Sequence, residues 1–208
     1  MSGFALLASP WWVNLLVLVP VIPYLLSRKA KFPLGRKRLL VIAVFGIAFG
    51  FVEAAVVVYL RAATGLWPVP QAYGPAALPE NLVRIECFRE AATLVMLGGI
   101  AWLAGQNLKA RIAAFLWTFA FWDFFYYVWL RLTIGWPSSL VSSDILFLIP
   151  VPWIAQVWFP LLISSLTVTV IWFRSLKSAS GKDVCCGPCH LPTMPRAPRS
   201  IDCVGRRL

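Results

Sequence analysis

Long apolar runs separated by short basic segments dominate this chain, and no soluble fold accommodates that pattern. Of its 208 residues, 60% are hydrophobic and 13% charged. A soluble domain could not hide so much apolar surface, because its exterior must carry polar groups. A membrane-spanning helix needs about 20 mostly apolar residues. Five segments qualify as candidates, with approximate bounds 10–26, 39–60, 82–104, 112–130 and 151–173. The first is short, and Pro160 is expected to kink the last. The expectation is an all-α membrane protein with five transmembrane helices over residues 1–174. A basic, Cys-containing tail over 175–208 is rich in Pro, Ser and Arg and is expected to be disordered and cytoplasmic.

The formal net charge of +11 does not form one basic surface for nucleic acid. It is spread over the connections between apolar runs, where it encodes orientation. Arg28, Lys29, Lys31, Arg36, Lys37 and Arg38 follow the first run. Lys109 and Arg111 lie between the third and fourth, and seven more cations follow the fifth. These segments alternate correctly to share one side, so the N-terminus is expected outside and the C-terminus inside. No cation precedes the first run, which argues against a cleaved signal peptide.

The second and fourth runs resemble each other. Phe49-Gly50-Phe51-Val52-Glu53 aligns with Phe119-Ala120-Phe121-Trp122-Asp123 at an offset of 70, and Val58-Tyr59-Leu60-Arg61 aligns with Val128-Trp129-Leu130-Arg131. Spans 2–3 and 4–5 are thus read as a parallel internal repeat, because two-span units preserve orientation. Between these spans, the stretch from Thr64 to Pro79 is read as an irregular loop. The apolar stretch from Ile145 to Trp153 contains Pro150 and Pro152, so it is expected to be interfacial or re-entrant and packed on protein.

Five of the eight acidic residues fall toward the outer side in this topology: Glu53, Glu86, Glu90, Asp123 and Asp144. Arg61, Arg89 and Arg131 lie near them in sequence-based depth, the first and last about 12 Å beyond Glu53 and Asp123. Glu86 and Glu90 share a helix face that Thr93 and Leu97 continue. Charges inside a bilayer are costly and face protein or water. Two readings follow. The set either forms interhelical ion pairs that fix packing, or lines an outward-facing cavity that binds a small solute or ion. Arginines suit phosphate or carboxylate, and carboxylates suit protons or cations, so the sign of a ligand stays open.

No cofactor is expected. Carboxylate di-metal bundles use Glu-x-x-His ligands, and the sole histidine, His190, lies in the tail. Cys186, Cys189, His190 and Cys203 give a weak zinc-knuckle option there. Cys186 to His190 also match the haem-attachment pattern C-x-x-C-H, but on the side where such attachment does not occur.

Phe49 to Arg61 (FGFVEAAVVVYLR) and Trp122 to Pro152 (WDFFYYVWLRLTIGWPSSLVSSDILFLIPVP) resemble uncharacterised bacterial polytopic integral membrane proteins. The resemblance implies a multi-pass protein of the bacterial inner (plasma) membrane. It carries no activity, cofactor or catalytic residue. Three functions are compatible with the sequence: small-solute or ion transport or ligand binding, an enzyme acting on a lipid-linked substrate at the outer leaflet, and a structural or assembly subunit. The expected partners are the lipid bilayer and a small solute or ion, with no nucleic acid; oligomers are compatible with the sequence.

Overall fold

The computed structural model describes residues 8–26, 34–63, 80–146 and 153–180. Among the described residues, four helices are long and apolar enough to cross a membrane: α2 (Arg36–Ala63), α3 (Glu80–Ala104), α4 (Leu108–Ile134) and α5 (Trp158–Ser180). They mark the chain as a helical membrane protein. The segment expected as a fifth span is different. Trp11–Leu18 is a 3-10 helix, and a short helix, α1 (Val21–Leu26), follows it. Pro20 sits at the break and has no N–H to continue a helical ladder. Trp11–Leu26 is apolar but shorter than the four spanning candidates.

Helix α4 is the centre of the molecule. It packs on α2, α3 and α5, whereas α3 meets α2 only marginally. The sequence explains why α2 can come so close. Gly46 and Gly50 are four apart on one face, the small-x-x-x-small spacing that lets membrane helices approach through their backbones. A Cβ on Gly46 would lie 2.8 Å from the Thr118 carbonyl oxygen, and one on Gly50 would lie 2.9 Å from that of Trp122. Both sets of contacts advance in the same chain direction, so α2 and α4 run parallel. Two indoles reinforce the contact: Trp117 Nε1 donates to the Leu39 carbonyl (2.8 Å) and Trp129 Nε1 to that of Ile47 (3.0 Å). In an apolar interior, a carbonyl already bonded within its helix still offers a second lone pair to such a donor.

The α3–α4 turn is tight. Asn107 caps α4, its side chain accepting from the Ala110 N–H at 3.0 Å. Gly105 abuts Arg111, where a Cβ would stand 2.5 Å from the backbone nitrogen. Arg111 stacks over the Trp102 ring at 3.4 Å, and Arg38 of α2 reaches the Ala104 carbonyl at 3.4 Å. Basic side chains therefore cluster at this end of the bundle. At the other end Gly135 closes α4 in the left-handed conformation (φ 72°), its N–H returning to the Arg131 carbonyl.

Between α4 and α5 the chain forms a two-stranded antiparallel hairpin. β1 (Ser143–Leu146) pairs with β2 (Trp153–Gln156), with Asp144 opposite Ala155 and Leu146 opposite Trp153. Ser9 adds a bridge to Ile154, exchanging both backbone hydrogen bonds. The hairpin and the Trp11–Leu18 segment pack on α5 around Val13, Trp153, Phe159 and Ile163. Apolar residues with no helical option thus satisfy their backbone across strands. Helix α5 continues to Ser180, so the first residues of the tail expected from 175 are helical; residues 181–208 and the loop expected over 64–79 lie outside the described residues.

Candidate functional site

The site is assembled where α2, α3, α4, α5 and the hairpin converge. Glu53 follows Gly50 by almost one turn, so the close crossing carries it against α4, where it is 5% exposed. On α3 the buried residues are Glu86, Thr93, Leu97 and Ala101, a single stripe. The shared face expected for Glu86, Thr93 and Leu97 is the face turned inward.

Arg89 is the hub. Its Nη2 lies 2.5 Å from Glu86 Oε2 and 3.2 Å from Glu90 Oε1, and its Nη1 forms an ion pair with Glu53 Oε1. Thr93 Oγ1 donates to Glu53 Oε2 at 3.4 Å. One guanidinium therefore holds three carboxylates from two helices. Its planar fork of donors suits that task.

Asp123 is treated differently. It is 6% exposed, and its recorded partner is Ser164 of α5, whose hydroxyl donates to Oδ2 at 2.7 Å. It takes part in no salt bridge among the described residues. Asp144, brought in by β1, accepts from Tyr127 Oη (2.9 Å) and from the Ile145 N–H (2.9 Å). Burial pushes its carboxyl from 3.8 up to about 6, against the Tyr127 hydroxyl and the Arg61 charge, which draw it down.

A small cavity of about 30 Å³ joins these groups. Glu53, Glu90, Trp122, Asp123, Tyr126 and Asp144 line it. That volume accommodates a water molecule. Among the described residues, Glu90 Oε2 and Trp122 Nε1 have no hydrogen-bond partner although both are buried. On the other side of Asp123 lies an apolar cavity of about 270 Å³, bounded by the Trp11–Leu18 segment, α3, α4, α5 and the hairpin. Asp123 and Leu146 are the two residues that line both.

Of the eight residues singled out from sequence, the structure gathers Glu53, Glu86, Glu90, Arg89, Asp123 and Asp144. Arg61 sits at the margin, its guanidinium 4.7 Å from the Trp136 ring centre and its charge felt by Asp144. Arg131 is exposed and serves the end of α4, donating to the Gly135 and Pro137 carbonyls. Its expected pairing with the carboxylates is replaced by this capping role, because the last turn of a helix leaves carbonyls open. Sequence reasoning missed Ser164 and Trp122. The one sequence signal for Ser164 is its spacing: it stands 71 residues after Thr93, near the offset of 70 expected between the second and fourth runs, and both hydroxyls donate to carboxylates. The tail ligand set Cys186, Cys189, His190 and Cys203 lies outside the described residues.

No protein-family model, curated protein or solved structure matches this chain.

Proposed function

We infer that this chain is a five-span protein with its N-terminus outside, C-terminus inside and spans 2–3 and 4–5 as a parallel repeat. Its outward-side carboxylate cluster binds a proton or small cation in the course of binding or moving a solute. The observation that carries the reading is Asp123: a buried carboxylate with no arginine bound to it among the described residues, standing between two cavities. Five carboxylates face two guanidiniums, those of Arg89 and Arg61, a formal excess of three negative charges. In a low-dielectric site such an excess must be offset by protons or cations.

Paired side-chain geometry supports the repeat. Glu53 receives the Thr93 hydroxyl as Asp123 receives that of Ser164. Phe45 with Phe49 and Phe115 with Phe119 stack at 5.6 and 6.0 Å, both tilted by 31°. The units differ in the cation: Arg89 serves Glu53, and its repeat equivalent serves nothing because that place in α5 holds an apolar or imino residue. An inherited pair of sites with one neutralised internally leaves the other free for an external cation.

A purely structural role requires each intramembrane carboxylate to be paired with arginine, and among the described residues Asp123 is not. An enzyme acting on a lipid-linked substrate gains support from the apolar cavity ending at Ser164 and Asp123. However, Ser164 donates its hydroxyl to the Asp123 carboxylate and stands in no G-x-S-x-G nucleophile motif. Purified protein in proteoliposomes decides the matter. Proton or monovalent-cation flux is expected, with Asp123→Asn reducing it by about tenfold or more. Equal flux from Asp123→Asn and wild type overturns the reading.

A further inference from the structure

The small polar cavity says which charge the site takes; the larger cavity says what body that charge is attached to. The walls of the 270 Å³ cavity are almost wholly apolar, with Leu16, Phe115, Leu116, Phe119, Trp153 and Ile163 among them. Its polar contributors are Asp123, Ser164, Thr167 and the Trp153 indole, whose N–H has no hydrogen-bond partner among the described residues. Thr167 spends its hydroxyl on the Ile163 carbonyl at 2.7 Å, and the Asp123 and Ser164 pair is the charged end. The volume is close to the lower bound of small-molecule sites, about 300 Å³. A bare inorganic ion has no use for such a chamber.

We propose that the apolar cavity is the binding site of a lipophilic organic cation, a compact hydrophobic or aromatic body bearing an ammonium group that docks on Asp123. This inference rests on the reading of Asp123 as the cation-binding carboxylate and names the class of ligand. Charge complementarity selects a cation, since the adjoining cavity adds Glu53, Glu90 and Asp144 to Asp123. An anionic head such as a fatty acid's would meet four carboxylates there, which outweigh the neutral donors of Trp122, Tyr126 and Ser164. The aromatic rings of Phe115, Phe119 and Trp153 on the walls favour a cationic guest over a neutral one of equal size. Trp122 marks the head end as a place for water beside the ammonium. It is 5% exposed, lines the polar cavity and has an indole N–H without an acceptor among the described residues. An ammonium has no lone pair to offer that donor, so a water molecule in the polar cavity is what satisfies it.

The ligand's ammonium and the proton or inorganic cation then compete for one carboxylate. Binding of the organic cation displaces the smaller ion into the polar cavity and onward, which couples the two.

The test uses three isosteric probes on the full chain in lipid nanodiscs: phenethylamine, phenethyl alcohol and phenylacetate, followed by titration calorimetry. The amine is expected to bind about tenfold or more tightly than the alcohol, as a charged hydrogen bond allows, with phenylacetate weakest. Asp123→Asn should erase the preference for the amine. Leu16→Trp, which fills the cavity from its wall, should weaken amine binding. Equal affinity for amine and alcohol would identify an acyl-chain or neutral-lipid crevice and overturn the proposal, as would unchanged amine affinity in Asp123→Asn. A pH-indicating dye separates this inference from the one beneath it. Amine binding at Asp123 without displacement of a proton or inorganic cation removes the coupling yet leaves the ligand class standing. Flux that depends on Asp123 in a protein indifferent to the amine does the reverse.

Discussion

Arg89 concentrates the electrostatics of this protein on one side chain. Removing one partner of a buried charge network costs about 3–5 kcal/mol, because the remaining charges lose their compensation. Arg89→Leu strands Glu53, Glu86 and Glu90 together, and a loss of that size in thermal or denaturant unfolding is the expected result. Arg89→Lys should recover only part of it, since a single ammonium lacks the fork that reaches three carboxylates. Asp144 makes a separate, pH-dependent prediction. Its carboxyl is raised from 3.8 to about 6 in the folded state, so the folded protein holds a proton that the unfolded chain releases. Its stabilising contribution is complete below about pH 4 and is lost as pH rises through about 6. Measured across that window, the melting temperature of wild type relative to Asp144→Asn should fall with rising pH. A flat difference would mean that Asp144 does not titrate there.

At the scale of elements, the α2–α4 crossing positions the site. Gly50 leaves no room for a side chain, with the Trp122 carbonyl 2.9 Å and the Tyr126 nitrogen 3.1 Å from where its Cβ would be. Both obstacles are backbone, so neither can rotate away. Gly50→Leu should force the helices apart, cost about 2 kcal/mol or more, and lower flux by moving Glu53 from Arg89. Gly98, which has open space around it, is the control: Gly98→Leu should be tolerated in the same unfolding assay. Much of this was open to a reader of residues. The five acidic positions, the inward stripe of α3 and the four long helices follow from hydropathy, charge and helical period. The spacing of Gly46 and Gly50 was also in plain view, but which helix they would meet was not. The hairpin escaped because an apolar run broken by two prolines specifies only what it cannot be. Its partner strands and Ser9 supply the missing backbone bonds.

For the molecule as a whole, orientation is the property most directly testable. Arg38, Lys109 and Arg111 gather at one end of the helices, and Gly135, Trp136 and Asp144 lie toward the other. With native cysteines replaced, a cysteine at Ser138 should react with impermeant reagent added outside intact cells. A cysteine at Lys109 should react only after permeabilisation. The reverse pattern would invert the topology and turn the carboxylate cluster toward the cytoplasm. The same experiment on Ser2 decides whether the segment Trp11–Leu26, shorter than the spanning helices, carries the N-terminus across.

Membrane residence was settled by residue order alone. Transfer into lipid is a sum over consecutive side chains, and runs of this length and composition have only one favourable solvent. The presence of titratable groups within those runs was equally fixed by order. Which charges meet is another matter, because a helix's rotation and crossing angle come from contacts between helices that hydropathy does not encode. Only the folded arrangement gave Arg89 to the Glu53 side, turned Arg131 to a helix end, and left Asp123 between a polar cavity and an apolar one. That division arises because desolvation acts on each residue singly, whereas ion pairing depends on distances of a few ångströms between elements far apart in the chain.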